Sequence, residues 1–287
     1  MENKKICYLP MYIVDAFTSH PFAGNPAAVC LVDSSTILTD DIRQNIAKEM
    51  NLSETAFIEQ YTPDESFSES NHFKLRWFTP AKEVMLCGHA TLASSAVLFE
   101  CVKNKSDKLI FETLSGQLTA RKQANFISLM LPLNPPRPFQ LVLPDPEQNI
   151  QAILYSSSTK KLLIRIKDCY TRSFIEQLKP QTDKMMSAHN TGKIAGVIVT
   201  LCTKAQEQYD FVSRYFAPWV GIPEDPVTGS AHTVLAPYWS DELGKKKLFA
   251  YQCSPRGGEL RLTVKDDQRL EVAGTACVVL NGQFLLQ

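Results

Sequence analysis

The stretch from Arg76 to Ala90, Arg-Trp-Phe-Thr-Pro-Ala-Lys-Glu-Val-Met-Leu-Cys-Gly-His-Ala, occurs a second time in altered form. The later copy is Arg214-Tyr-Phe-Ala-Pro218, followed by Asp225-Pro-Val-Thr-Gly229-Ser230-Ala231. Arg76 aligns with Arg214, Trp77 with Tyr215, Phe78 with Phe216 and Pro80 with Pro218. After connections of unequal length, Gly88-His89-Ala90 aligns with Gly229-Ser230-Ala231. Each copy then enters a helical pattern, Thr91 to Glu100 and His232 to Trp239. A small-residue turn follows each, at Ser115-Gly116 and at Gly257-Gly258. Ordered matches of this kind imply two similar halves, each organised around one buried helix entered through a glycine. The expected class is α+β: two pseudo-symmetric lobes, each a curved, mostly antiparallel sheet wrapping a central helix.

The strand and helix patterns between these landmarks fit that plan. Met11 to Ala16, Ala27 to Val32, Thr55 to Ile58 and Phe73 to Phe78 read as strands of the first half. Asp40 or Asp41 is placed to cap a helix carrying Ile42, Ile46, Ala47 and Met50, with Asn51 as its stop. Leu133-Asn-Pro-Pro-Arg-Pro138 marks the crossing, giving domains 1–134 and 135–287. Lys161 to Ile166, Ala195 to Leu201 and Phe211 to Phe216 read as strands of the second half, with a short helix at Ser173 to Leu178. The last strand, Cys277 to Leu280, can return to complete the first half's sheet.

A glycine at a helix start lets the backbone approach a ligand closely. The first turn also offers unpaired N–H groups and about half a positive charge. Two such termini, at Gly88 and Gly229, suit an anion such as a substrate carboxylate. Chemical side chains accompany them. Glu54 sits at the mouth of a strand among Leu52, Ala56 and Phe57, a setting in which a carboxylate can move protons. His89 follows Gly88, and a helix N-terminus favours its neutral imidazole. Asp225 is held extended by Pro226, and Ser230 can donate to a carboxylate. Cys87 precedes Gly88, but its aligned partner is Thr228, so a two-thiol proton relay is not expected.

Composition closes off other classes. Thirty basic and thirty acidic residues cancel, so no global field draws in nucleic acid or an anionic membrane. No apolar run reaches the roughly 18 residues of a bilayer span, and the start reads as a strand rather than a signal peptide. Eight scattered cysteines without a C-x-x-C pair argue against zinc and for reduced thiols in the cytoplasm. No nucleotide or metal motif is present, so no cofactor is expected.

Several stretches together resemble the PhzF-like family of phenazine-biosynthesis isomerases. They are Asp15-Ala-Phe, Gly24-Asn-Pro-Ala-Ala-Val29, Asn51-Leu-Ser-Glu-Thr-Ala-Phe57, Trp77-Phe-Thr-Pro80, Cys87-Gly-His-Ala-Thr-Leu92, Tyr215-Phe-Ala-Pro-Trp219 and Glu224-Asp-Pro-Val-Thr-Gly-Ser-Ala231. The resemblance spans both halves. It implies the diaminopimelate epimerase-like fold, an active site between the lobes, cofactor-free isomerase chemistry and a homodimer. It assigns the proton-shuttling acid/base to Glu54 and supporting roles to His89, Asp225 and Ser230. The expected activity is a proton shift within a small carboxylic acid. The alternatives are an epimerase or racemase using Cys87 with Glu54, and a non-catalytic member of the fold that binds protein partners.

Overall fold

The computed structural model describes residues 7–63, 65–140, 149–204 and 207–286. Two compact units emerge: Met1–Met130 with Ala273–Gln287, and Leu131–Val272.

In the first unit β1 (Cys7–Ala16) pairs antiparallel with β2 (Asn25–Val32). Helix α1 (Asp40–Met50) then crosses over, and β3 (Glu54–Gln60) lies parallel to β2. Next, β4 (His72–Phe78) runs antiparallel to β3 and carries the short β5 (Glu83–Val84) on its end. Helix α2 (Gly88–Ala96) is the second crossover, and β6 (Lys108–Thr113) pairs parallel with β4. Antiparallel β7 (Gly116–Gln123) and β8 (Phe126–Pro132) follow. A C-terminal strand, Ala276–Leu286, pairs with β1 from Ala16↔Ala276 to Cys7↔Leu286. Parallel neighbours cannot be joined by a tight turn, so each helix is where a parallel pair demands one.

The second unit repeats this topology. Its elements are β9 (Arg137–Pro138), β10 (Ile150–Ser156), β11 (Lys161–Ile166), α3 (Arg172–Glu176), α4 (Thr182–Ala188), β12 (Gly196–Cys202), β13 (Phe211–Ala217), β14 (Ile222–Asp225), α5 (Gly229–Leu243), β15 (Lys247–Gln252), β16 (Gly258–Val264) and β17 (Arg269–Gly274). Strands β11 and β12 are parallel, as are β13 and β15. Helices α3 and α4 bridge the first pair and α5 the second. The match is residue by residue. Phe57 pairs with Arg76 and Val199 with Arg214, so Arg76 and Arg214 hold the same register position.

The central helices explain the cores. Helix α2, GHATLASSA, has no charged residue, and all nine positions are buried. Such a helix has no solvent face and must be surrounded. Its serines satisfy themselves within the helix: Ser94 Oγ donates to the Ala90 carbonyl and Ser95 Oγ to that of Thr91. Helix α5 buries Trp239 completely, with Nε1 donating to Thr200 Oγ1 at 3.0 Å. Each large apolar side chain sealed this way contributes about 1.5–3 kcal/mol.

Several boundaries correct the sequence reading. The central helices begin at Gly88 and Gly229 themselves, and α2 passes into a π-helical turn, Val97–Cys101. Thr39, not Asp40 or Asp41, caps α1, its side chain accepting from the Ile42 N–H; both aspartates instead occupy the first turn, where the dipole favours them. Asn51 stops α1 in the left-handed region, as expected. Helix α4 and strands β14 and β15 were not expected. No helix among the described residues is long and apolar enough to cross a membrane.

Candidate active site

Glu54 opens β3 and is only 8% exposed. Its register partner is Ala27 of β2, and the strand entry beside it is shaped by Gly24. That glycine has φ 65°, and a Cβ there would collide with the Ala16 carbonyl oxygen, so only glycine turns the chain this tightly. The turn delivers Asn25, fully buried, to the same place.

His89 is the second residue of α2 and is 5% exposed. Its Nε2 lies 3.2 Å from Glu54 Oε2, off hydrogen-bond alignment. The other ring nitrogen, Nδ1, faces Asn25 Nδ2 at 3.3 Å and Cys87 Sγ at 3.4 Å. Asn25 Oδ1 accepts from Ser53 Oγ, which orients the amide so that its NH2 points to the ring. Asn25 Nδ2 and Cys87 Sγ thus flank Nδ1, while the Pro26 carbonyl faces the ring as an acceptor. Burial pushes the His89 pKa down to about 3, with the Pro26 carbonyl opposing. The imidazole is therefore neutral at neutral pH.

Glu54, Cys87 and His89 also offer three donor atoms within 4.8 Å of one another. Carboxylate, thiolate and imidazole form a donor set that suits zinc, a grouping that the absence of a cysteine-pair motif had not suggested.

In the second unit Asp225 ends β14 and is 8% exposed. Thr228 Oγ1 donates to its carboxylate at 2.5 Å. Gln252, wholly buried, fastens the connection into α5: its Nε2 donates to the Asp225 carbonyl, and its Oε1 accepts from the Thr228 N–H. Ser230 is half-buried in the first turn of α5. Lys161 approaches from β11. It is 8% exposed, and its Nζ lies 5.6 Å from the centre of the Tyr215 ring. Burial pushes its pKa down to about 8, against the pull of Asp225. Burial, with Asp225 adding to it, pushes the Tyr215 phenol up.

The shared register shows how the halves diverged. Phe57 and Val199 correspond, so Glu54 corresponds to Gly196. A Cβ on Gly196 would strike the Tyr215 hydroxyl; the phenol fills the space that a side chain would need. Trp77 pairs with Val84 and Tyr215 with Asp225, so Asp225 stands where the first half has Val84. Cys87 and Thr228 are both N-caps, and His89 corresponds to Ser230. The charged groups are thus divided: a carboxylate and an imidazole in one unit, a carboxylate and a lysine in the other.

Asn25, Lys161, Thr228 and Gln252 were not singled out from the sequence. Asn25 lies in one of the resembling stretches, but its bond to His89 spans 64 residues. Lys161 carried one local signal, a charge at the head of the apolar run KLLIRI.

Residues 14–282 match the phenazine biosynthesis-like protein family. The chain belongs to that family. Among its relatives, the phenazine biosynthesis-like domain-containing protein of Rattus norvegicus is 54% identical over 286 residues, covering 96% of this chain and 99% of the rat protein. A protein of Halalkalibacterium halodurans described as an uncharacterized isomerase is 42% identical, covering 96% of this chain and 98% of that protein. A crystal structure of a PhzF-family phenazine biosynthesis protein from Enterococcus faecalis superposes with a TM-score of 0.85 at 37% identity, over 98% of this chain and 100% of that one. A hydroxyproline epimerase from Agrobacterium vitis shares the fold alone, with a TM-score of 0.58 at 11% identity over 100% of this chain and 94% of the epimerase. The phenazine biosynthesis-like family thus includes proteins described as isomerases, and its fold, the diaminopimelate epimerase-like fold, is shared with an epimerase.

Proposed function

We propose that this chain is a cofactor-independent isomerase that moves a proton within a small carboxylic acid, with Glu54 as the acid/base. The observation carrying this reading is the buried Glu54–His89 pair at the head of α2. The proposed first step is abstraction of a proton from substrate carbon by Glu54. The same carboxyl then returns it to another carbon. His89, neutral and 3.2 Å from the Glu54 carboxylate, is proposed to orient it and to share the proton load. The first-turn N–H groups at Gly88 and Gly229 are proposed to bind the substrate carboxylate and to stabilise charge that grows on it as the proton leaves. Asp225 and Ser230 are proposed to orient the substrate, with Lys161 setting the field around Asp225. The working form is proposed to be a homodimer, which light scattering tests.

Gly196 at the position matching Glu54 supports an isomerase over a two-base racemase. So does Thr228 at the position matching Cys87.

The test is deuterium wash-in from heavy water across a panel of unsaturated and cyclic hydroxy and amino acids. At least one acid should exchange, and Glu54→Gln should slow that exchange by about 100-fold or more. Exchange by Glu54→Gln at the wild-type rate would remove Glu54 from the mechanism. Dialysis against EDTA should leave the wild-type rate unchanged; loss of activity restored by zinc would instead assign Glu54, Cys87 and His89 to a metal.

A further inference from the structure

The two sheets are covered differently on the face turned away from the central helix. In the first unit, crossover helix α1 closes that face: Ile46 and Ala47 are buried among Leu9, Met11, Ala28 and Phe57. In the second unit the same position in the topology is taken by α3 and α4. Helix α4 has seven residues and buries none of them. Beneath it the sheet keeps an open cavity of about 390 Å³. This lies within the roughly 300–1,000 Å³ range of small-molecule sites.

The floor of the cavity is Leu162, Val197 and Val199, its walls include Phe216 and Trp219, and Met185 reaches down from α4. Side chains alternate along a strand. Val197, Val199 and Phe216 therefore face away from Ile198 and Tyr215, and the cavity is on the opposite side of the sheet from Asp225 and Lys161. Trp219 pins the rim, its Nε1 donating to the His189 carbonyl at 2.6 Å.

Among the described residues, Lys179 is the one with a permanent charge in the lining. Lys179 and His189 line the mouth, and no carboxylate does among the described residues. An apolar basin with a cation at its edge complements a molecule with an apolar chain and an anionic head. A neutral hydrocarbon would leave Lys179 without a role, and a cationic amphiphile would be repelled.

We propose that the second unit carries a binding site for a small amphipathic carboxylate, its chain over Val197 and Val199 and its head at Lys179. The site shares no residue with the proposed chemistry, so it stands or falls independently of the isomerase reading. Decanoate is the probe, with decylamine as its cationic counterpart, both below the concentrations at which they aggregate. Calorimetry of the full chain should show saturable binding of one decanoate. Emission should shift from Trp219, because the other two tryptophans, Trp77 and Trp239, are sealed in the cores. Lys179→Glu and Ala188→Phe, both at exposed positions, should each weaken decanoate about tenfold or more, and decylamine should bind about tenfold more weakly than decanoate. The proposal is overturned if decanoate does not saturate, if decylamine matches it, or if Ala188→Phe binds as well as wild type. It is equally overturned if light scattering gives a dimer that Ala188→Phe splits, since the face would then be a subunit contact.

Discussion

Glu54 and Gly196 occupy one register position in the two units, and the exchange of a carboxyl for a hydrogen atom limits the chemistry available. In the proposed reaction Glu54 thus works without a twin carboxyl in the second unit. Next to it, His89 has consequences for stability as well as reactivity. Burial pushes His89 down to about 3 and His232 down to about 4, while an unfolded histidine titrates near 6.5. Below pH 6.5 the unfolded chain binds protons that the native one refuses, so the native state loses stability as pH falls, by up to ~1.4 kcal/mol per pH unit for each histidine. Urea midpoints measured from pH 7 to pH 5 should therefore decline. The decline should be shallower in His232→Asn, whose residue lies outside the proposed chemistry; an unchanged slope would mean that His232 is not held neutral. Glu54, His89, Asp225 and Ser230 were all legible in the sequence because short motifs carry them. Lys161 and Gln252 were not, since their neighbours lie tens of residues away and only strand register brings them close.

At the scale of elements, the repeated arginines show how a duplicated motif is reused. Arg76 forks onto Glu83 with its Nε and Nη2 and reaches Asp40 with Nη1. Arg214 forks onto Glu224 in the same way, while its Nη1 gathers the carbonyls of Ile175, Glu176 and Leu178 at the end of α3. Arg214 is buried, whereas the Arg76 side chain is 24% exposed. Arg214→Met removes a buried guanidinium and strands three carbonyls and a carboxylate only 18% exposed, and should destabilise by about 3–5 kcal/mol. Arg76→Met should cost about 1 kcal/mol, because water can replace much of what is lost. Chemical denaturation of the two variants decides; equal losses would refute the difference in burial. The helix start at Thr39 was missed because Asp40 and Asp41 are equally good caps on paper. Strand β15 was missed because Lys245-Lys246-Lys247 reads as a solvated loop, although Lys247 is already the first residue of the strand. Helix α4 has too few apolar residues to register as a periodic pattern, the same property that leaves the cavity beneath it open.

For the molecule as a whole, the duplication was visible in the sequence through one motif, but its extent was not. Only the topology shows that β2-β3-β4-β6-β7 and β11-β12-β13-β15-β16 are the same arrangement. Sequence drift erased the rest, since a strand tolerates any apolar residue that fits its face. The C-terminal strand belongs to the first unit and runs beside β1 along its whole length. Removing residues 276–287 should expose β1 as an open edge. The truncated protein should lose the first unit's resistance to proteolysis while fragments from 131–272 persist; protection of both would show that the strand is dispensable. Synthesis on the ribosome adds a further consequence. The segment translated earliest cannot finish folding until residues 276–286 have been made, so the later-made unit can settle while its predecessor still waits, one strand short.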